Sequence, residues 1–200
     1  MGTPPDDLTF GWQQPTPLGY GQGAKEAQFV AAPLLAAAAL GLAGVVAAAK
    51  DKVFLLPGPT LLVLVLSAMA LIYSIQLAYH ARKFLYSQQD VLDWFGAEII
   101  DNDLLWQELR EAQSGDYKLW ERYNNQANRL FNWGTVLLGF GVVAALAPGR
   151  DSSQPYWRWS AAGIVLACTF GEIYWQRKLR RQVNIRAQRK RPGVSQGGSS

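Results

Sequence analysis

The apolar residues of this 200-residue chain fall into blocks. Phe29 to Ala49 is 21 residues without a charge, and after Lys50, Asp51 and Lys52 another 27 follow from Val53 to Tyr79. Leu130 to Gly149 is a third uncharged run and Trp159 to Gly171 a fourth. About 20 apolar residues, each rising 1.5 Å, cross roughly 30 Å of hydrocarbon. The pattern predicts an all-α integral membrane protein, a four-helix bundle.

Proline and glycine punctuate the runs and set the expected helix ends. The first helix is expected over Phe29 to Ala49, its Ala and Gly content implying close neighbours. The second is expected from Pro59, after a Pro57-Gly58 turn, to Tyr79. The third covers Phe131 to Ala147 before Pro148-Gly149, and the fourth Tyr156 to Trp175 after Pro155. Trp157 and Trp159 at one end, with Tyr174 and Trp175 at the other, suit the two aromatic belts of a bilayer. No basic region precedes the first run, which is also too long for the core of a cleaved signal peptide.

Charge orients the bundle. With both termini in the cytosol, the cytosolic segments hold 15 Lys and Arg and the outer loops only Lys50, Lys52, Arg150 and Arg158. The expected location is therefore the cell membrane, multi-pass, with both termini cytosolic.

Two stretches echo each other. Leu40-Gly-Leu-Ala-Gly-Val-Val-Ala-Ala-Ala49 resembles Leu138-Gly-Phe-Gly-Val-Val-Ala-Ala-Leu-Ala147 with one gap, and Tyr79-His-Ala-Arg82-Lys83 resembles Tyr174-Trp-Gln-Arg177-Lys178. This reads as a duplicated transmembrane hairpin with parallel copies; the alternative is that such runs arise independently in membrane helices. The organisation expected is a disordered tail over 1–28, hairpin 1 over 29–83, a cytosolic helical hairpin over 84–130, hairpin 2 over 131–178, and a basic, then disordered, tail over 179–200.

Residues 84–113 carry seven acids against Arg110, a net charge of −6. Leu92, Phe95, Ile99, Trp106 and Leu109 recur there at helical spacing. Gly96 is expected to kink the longer arm, and Ser114-Gly115-Asp116 to turn the chain. The tail brings Arg177, Lys178, Arg180, Arg181, Arg186, Arg189, Lys190 and Arg191, eight cations and no acid. Such a cluster attracts anionic headgroups or a protein partner, and without interleaved aromatics nucleic acid is not expected.

Candidate chemistry is sparse. Glu172 is the sole acid in the four apolar segments, and with Gln76, His80 and Asn132 it could form a polar layer at the cytosolic ends of helices 2 and 4. The blander reading is a hydrogen-bonded clasp between helix ends. Gly163, Ala167 and Gly171 form a small-residue stripe for helix packing, and Gly134, Gly139 and Gly141 thin the third helix. One histidine and one cysteine, Cys168, leave no multi-histidine metal site and no intrachain disulfide, and Cys168 is expected to pack. Neither a phosphate-cradling loop nor a nucleophile elbow occurs. No catalytic, cofactor-binding or metal residue is assigned, and no cofactor. The expected function is a non-catalytic scaffold or partner-binding module, with a protein partner or a second copy as ligand. The alternative is a small transporter or oligomeric pore using the polar layer.

Overall fold

The structure is a computed structural model that describes Gly23 and residues 26–49, 53–96, 102–149 and 154–189, with side chains through Lys178. Among the described residues five helices follow one another: α1 (Ala27–Ala48), α2 (Pro57–Arg82), α3 (Gln88–Phe95), α4 (Asp103–Leu146) and α5 (Pro155–Arg189). No strand occurs among the described residues; one isolated antiparallel bridge joins Phe54 to Pro148. Three helices, α1, α2 and α4, are long and apolar enough to cross a membrane. Arg158, Glu172 and the basic run from Arg177 dilute the apolar stretch of α5.

Local chemistry accounts for most ends. Pro33 has no N–H to give the ladder, and the five residues before Ala32 form a π-helical turn in which Ala32 N–H bonds Ala27 O. Helix α2 starts at Pro57, not Pro59, because both prolines fit a first turn whose N–H groups have no intrahelical partner. Thr60 closes that turn, its N–H and Oγ1 reaching Leu56 O at 3.1 and 2.7 Å. A capping box opens α3, with Ser87 and Asp90 bonding each other's backbone N–H. Asn102 caps α4, accepting from Leu105 N–H at 3.3 Å.

The hairpin expected over 84–130 turns elsewhere than the sequence predicted. Ser114-Gly115-Asp116 is helical, inside a single helix of 44 residues. The chain instead reverses between α3 and α4, and Gly96, whose φ of 84° is a conformation that side chains disfavour, ends α3 rather than kinking it. A mid-helix glycine costs about 1 kcal/mol, a penalty that burial of Gln113 and Trp120 on either side outweighs. The apolar and amphipathic arms are therefore one rod, about 66 Å long. About 20 residues suffice to cross hydrocarbon, so roughly 35 Å of α4 projects beyond it. Likewise α5 continues helically to Arg189, past the expected exit at Trp175. Of the expected disordered ends, residues 1–22 and 190–200 lie outside the described residues.

Helix α2 packs on α1 and α4, and α5 packs on α4. The buried positions repeat every seven residues. In α1 they are Ala32, Ala36, Ala39, Ala43 and Val46, with Gln28 ahead of the repeat, and in α2 Thr60, Leu64, Ser67, Leu71, Ser74, Ala78 and Ala81, with Ala68 beside Ser67. In α4 one line runs from Trp106 through Gln113, Trp120, Ala127 and Gly134 to Gly141. A strict seven-residue repeat is the signature of helices that wrap with a left-handed twist.

Residue size along these lines is inverted relative to a soluble core. Ala, Ser, Thr and Gly dominate the inside, while Leu34, Leu40, Val45, Leu62, Leu66, Met69 and Ile164 face outward. Small residues inside and large apolar ones outside suit hydrocarbon solvent, where close backbone approach, not apolar burial, drives helix association. On α5, Trp157 and Trp175 are both exposed and about 27 Å apart along the axis, close to the hydrocarbon thickness.

Gly134 and Gly141 receive Leu71 and Leu64. A Cβ on Gly134 would lie 2.7 Å from Leu71 Cγ, and one on Gly141 would lie 2.5 Å from Leu64 Cδ2. Gly141→Ala should therefore destabilise the protein by about 1–3 kcal/mol in reversible unfolding in detergent. Gly44→Ala, whose Cβ meets nothing within 4 Å, should be neutral or slightly stabilising. Adding Leu64→Ala to Gly141→Ala should restore part of the loss, and strictly additive losses would contradict this contact.

Candidate functional site

The structure does not bring the four polar candidates into one layer. Gln76 and His80 are exposed on α2, with the His80 ring edge-on to Tyr79 at 6.1 Å. Glu172 is exposed on α5, where its Oε1 accepts from Gln176 Nε2 at 3.2 Å and Thr135 Oγ1 at 3.5 Å. The faces of α4 toward α2 (Gly134, Gly141) and toward α5 (Gly139, against Thr169) are about 140° apart. Gln76 and Glu172 thus belong to opposite sides of the central helix. Of the four, Asn132 and Glu172 share a neighbourhood, linked through Thr135 and Gln176.

The expected packing stripe also lies elsewhere. Gly163, Ala167 and Gly171 are exposed, and no atom comes within 4 Å of a Cβ built on either glycine. Helix α5 instead turns Ala162 and Thr169 inward. Gly139 supplies the space, since a Cβ there would overlap Thr169 Oγ1. That hydroxyl stays satisfied through Val165 O at 2.8 Å. Cys168 faces outward and is exposed, not packed as expected. Near the other end of α5, Arg158 donates to Leu146 O and Ala145 O, both at 3.2 Å, satisfying last-turn carbonyls of α4.

Between α4 and α5 lies a groove of about 310 Å³ lined by Asn132, Trp133, Val136 and Phe140 on one side and Ile173, Gln176 and Arg177 on the other. Its walls are graded, from Phe140 and Val136 to Asn132, Gln176 and Arg177. Of the predicted basic cluster, Arg177 and Lys178 are exposed, and Arg180, Arg181, Arg186 and Arg189 continue on helix α5. Lys190 and Arg191 lie outside the described residues.

A polar and aromatic collar joins the helices at the same end. Buried Gln28 donates to Asn128 Oδ1 at 3.0 Å, tying the start of α1 to α4. The Arg82 guanidinium sits 3.8 Å from the centre of the Phe29 ring. Phe84 stacks on Tyr123 at 5.9 Å, and Tyr86 Oη donates to Asp116 Oδ2 at 3.1 Å. Below the collar, Val91 and Trp106 form a small core with Tyr86, Leu92 and Leu109.

The hairpin tip carries a surface that helical spacing did not predict. Trp94 is 86% exposed, Leu104 76% and Phe95 56%, flanked in sequence by Asp90, Asp93, Asp103 and Glu108. Phe95 was expected on the inner face with Leu92 and Trp106; Ile99 lies outside the described residues. The missed signal is positional, because Trp94 and Phe95 are the last residues of α3, where Gly96 breaks the helical register. Among the described residues no group of three or more His, Cys, Asp or Glu could hold a metal ion.

No protein-family model, curated protein or solved structure matches this chain. Its chemistry has to be read from its own residues.

Burial, then the hydrogen bond to Asp116 and that carboxylate's charge, raise the Tyr86 hydroxyl from its ordinary 10 to about 12. The folded state holds this proton where the unfolded chain has lost it, so stability is full below pH 10 and falls as pH rises toward about 12. Alkaline titration of the unfolding midpoint should show a steeper fall for the wild type than for Tyr86→Phe. Parallel curves would remove Tyr86 from the collar's energetics.

Proposed function

We propose that this chain is a non-catalytic, multi-pass protein of the cell membrane, with α1, α2, the C-terminal part of α4 and α5 crossing as a four-helix bundle. Both termini face the cytosol, and the α3–α4 hairpin presents a docking surface to a protein partner. The observation that carries this reading is the 44-residue helix α4, which passes without a break from the membrane bundle into the hairpin. It holds the exposed Trp94, Phe95 and Leu104 at a fixed distance from the bilayer. Exposed aromatic and aliphatic side chains flanked by acids are anchors for an apolar pocket with a basic rim. A non-catalytic role is favoured because the polar candidates do not converge: Glu172 accepts from Gln176 and Thr135 between α5 and α4, while Gln76 and His80 stand apart on α2. That separation removes the motivation for a conduction path through the predicted layer. The duplication of hairpins 29–83 and 131–178 is proposed from the two sequence echoes, residues 40–49 with 138–147 and residues 79–83 with 174–178.

The topology predicts thiol labelling in a Cys168→Ala background. A cysteine at Ser152 should react with an impermeant reagent on intact cells, and one at Ser87 only after permeabilisation. The reverse pattern would overturn the orientation.

The docking surface predicts site-specific photo-crosslinking. A photoreactive residue at 94 or 104 should give a discrete adduct of one mass in cells, whereas the same residue at exposed Arg122 should not. If positions 94 and 104 give nothing while the protein inserts normally, the hairpin tip is not a docking site.

A further inference from the structure

The groove between α4 and α5 has a shape and a gradient of chemistry that one class of ligand matches. Its apolar part, Val136, Phe140 and Ile173, lies toward the middle of the bundle. Asn132, Gln176 and Arg177 line its other end. Trp133, Tyr174 and Trp175, all more than half exposed, surround that polar end, as aromatic residues do where hydrocarbon meets headgroups. The groove thus passes from apolar to amide to cation along the bilayer normal, the order in which a phospholipid passes from acyl chain to glycerol to phosphate.

Its polar groups have capacity to spare. Among the described residues Arg177 makes no ion pair or hydrogen bond, and no side-chain hydrogen bond engages the Asn132 amide. Gln176 Nε2 is held by Glu172 at 3.2 Å, which fixes the amide beside the groove and leaves its second N–H free. Glu172 is the local acid, and its carboxylate is engaged by Gln176 and Thr135. Lys178 does not line the groove; its ammonium lies 5.9 Å from the centre of the Trp175 ring. Arg177 is thus separable from the general basic character of the tail. A guanidinium with an amide beside it suits a phosphate better than an ammonium would.

We propose that this groove binds one anionic phospholipid, its phosphate on Arg177, Asn132 and Gln176 and an acyl chain along Val136, Phe140 and Ile173. The site rests on the membrane reading above, and it turns a diffuse attraction of the basic tail for anionic headgroups into a defined position. An occupied groove seals α4 against α5 beside the contact of Gly139 with Thr169.

The test uses full-length protein, delipidated in neutral maltoside detergent and examined by native mass spectrometry with phosphatidylglycerol, phosphatidylcholine or inorganic phosphate. The wild type should retain a single phosphatidylglycerol in preference to phosphatidylcholine. Arg177→Ala should lower that occupancy about 5-fold, as expected for one cation at a headgroup, and Asn132→Leu should lower it in the same direction. Lys178→Ala should leave it unchanged, and Arg177→Lys should keep part of it. All three side chains are partly or fully exposed, and circular dichroism with gel filtration confirms that each variant is folded. Equal retention of both lipids, equal losses for Arg177→Ala and Lys178→Ala, or competition by millimolar inorganic phosphate would each overturn the site. A carbonate wash of wild-type membranes separates this failure from that of the underlying reading. Protein that stays in the pellet but retains no lipid has lost only the groove, whereas protein released by carbonate has lost the membrane reading too.

Discussion

Two leucines seated over two glycines hold this bundle together. Leu64 and Leu71, both fully buried, lie seven residues apart on α2, and Gly141 and Gly134 lie seven apart on the antiparallel α4. In hydrocarbon, lipid tails are as apolar as leucine, so burying these side chains yields little by itself. What association yields is close contact, with many weak dispersion attractions that any Cβ at the glycines would disrupt. Ser67, between the two leucines, donates to Gly134 O at 2.7 Å and adds direction to the contact. The α2–α4 spacing follows from that pair, and with it the seven-residue register that runs the length of both helices.

The rest of the architecture inherits this register. Because the α4 repeat continues unbroken from Gly141 back to Trp106, the hairpin outside the bundle is fixed in rotation as well as position. Collar contacts then tie the two regions where the chain leaves α2, with Gln28 on Asn128, Arg82 on Phe29, Phe84 on Tyr123 and Tyr86 on Asp116. On the opposite face of α4, Gly139 admits Thr169 and Arg158 satisfies the last carbonyls, seating α5. The groove opens between α4 and α5, lined by Trp133 and Phe140 on one side and by Ile173, Gln176 and Arg177 on the other.

The sequence made some of this legible and concealed the rest for identifiable reasons. Long uncharged runs place the helices because the 1.5 Å rise ties length to membrane thickness. Pro57 to Pro59 marks the start of α2 to within one turn. The reversal of the α3–α4 hairpin was misplaced because Ser114-Gly115-Asp116 has stronger turn composition than the surroundings of Gly96. Burial of Gln113 and Trp120 overrode that local preference. Lines such as Thr60, Ser67 and Ser74 are quiet in hydropathy because small polar residues carry them, although their seven-residue spacing was there to be read. Depth along each helix put Gln76, His80, Asn132 and Glu172 at one level. It could not say that α4 stands between Gln76 and Glu172, since azimuth depends on which helices are neighbours.

The central claim is that α4 is one continuous rod, joining a glycine-lined membrane contact to an exposed hairpin. The most direct measurement is the distance between spin labels on cysteines replacing Glu108 and Arg129, in Cys168→Ala protein reconstituted in lipid. Both positions are exposed and lie on either side of Ser114-Gly115-Asp116. A continuous helix places their backbones about 32 Å apart, with a narrow distribution. A chain reversal at Gly115 would bring them to roughly 10 Å, and that result would contradict the account.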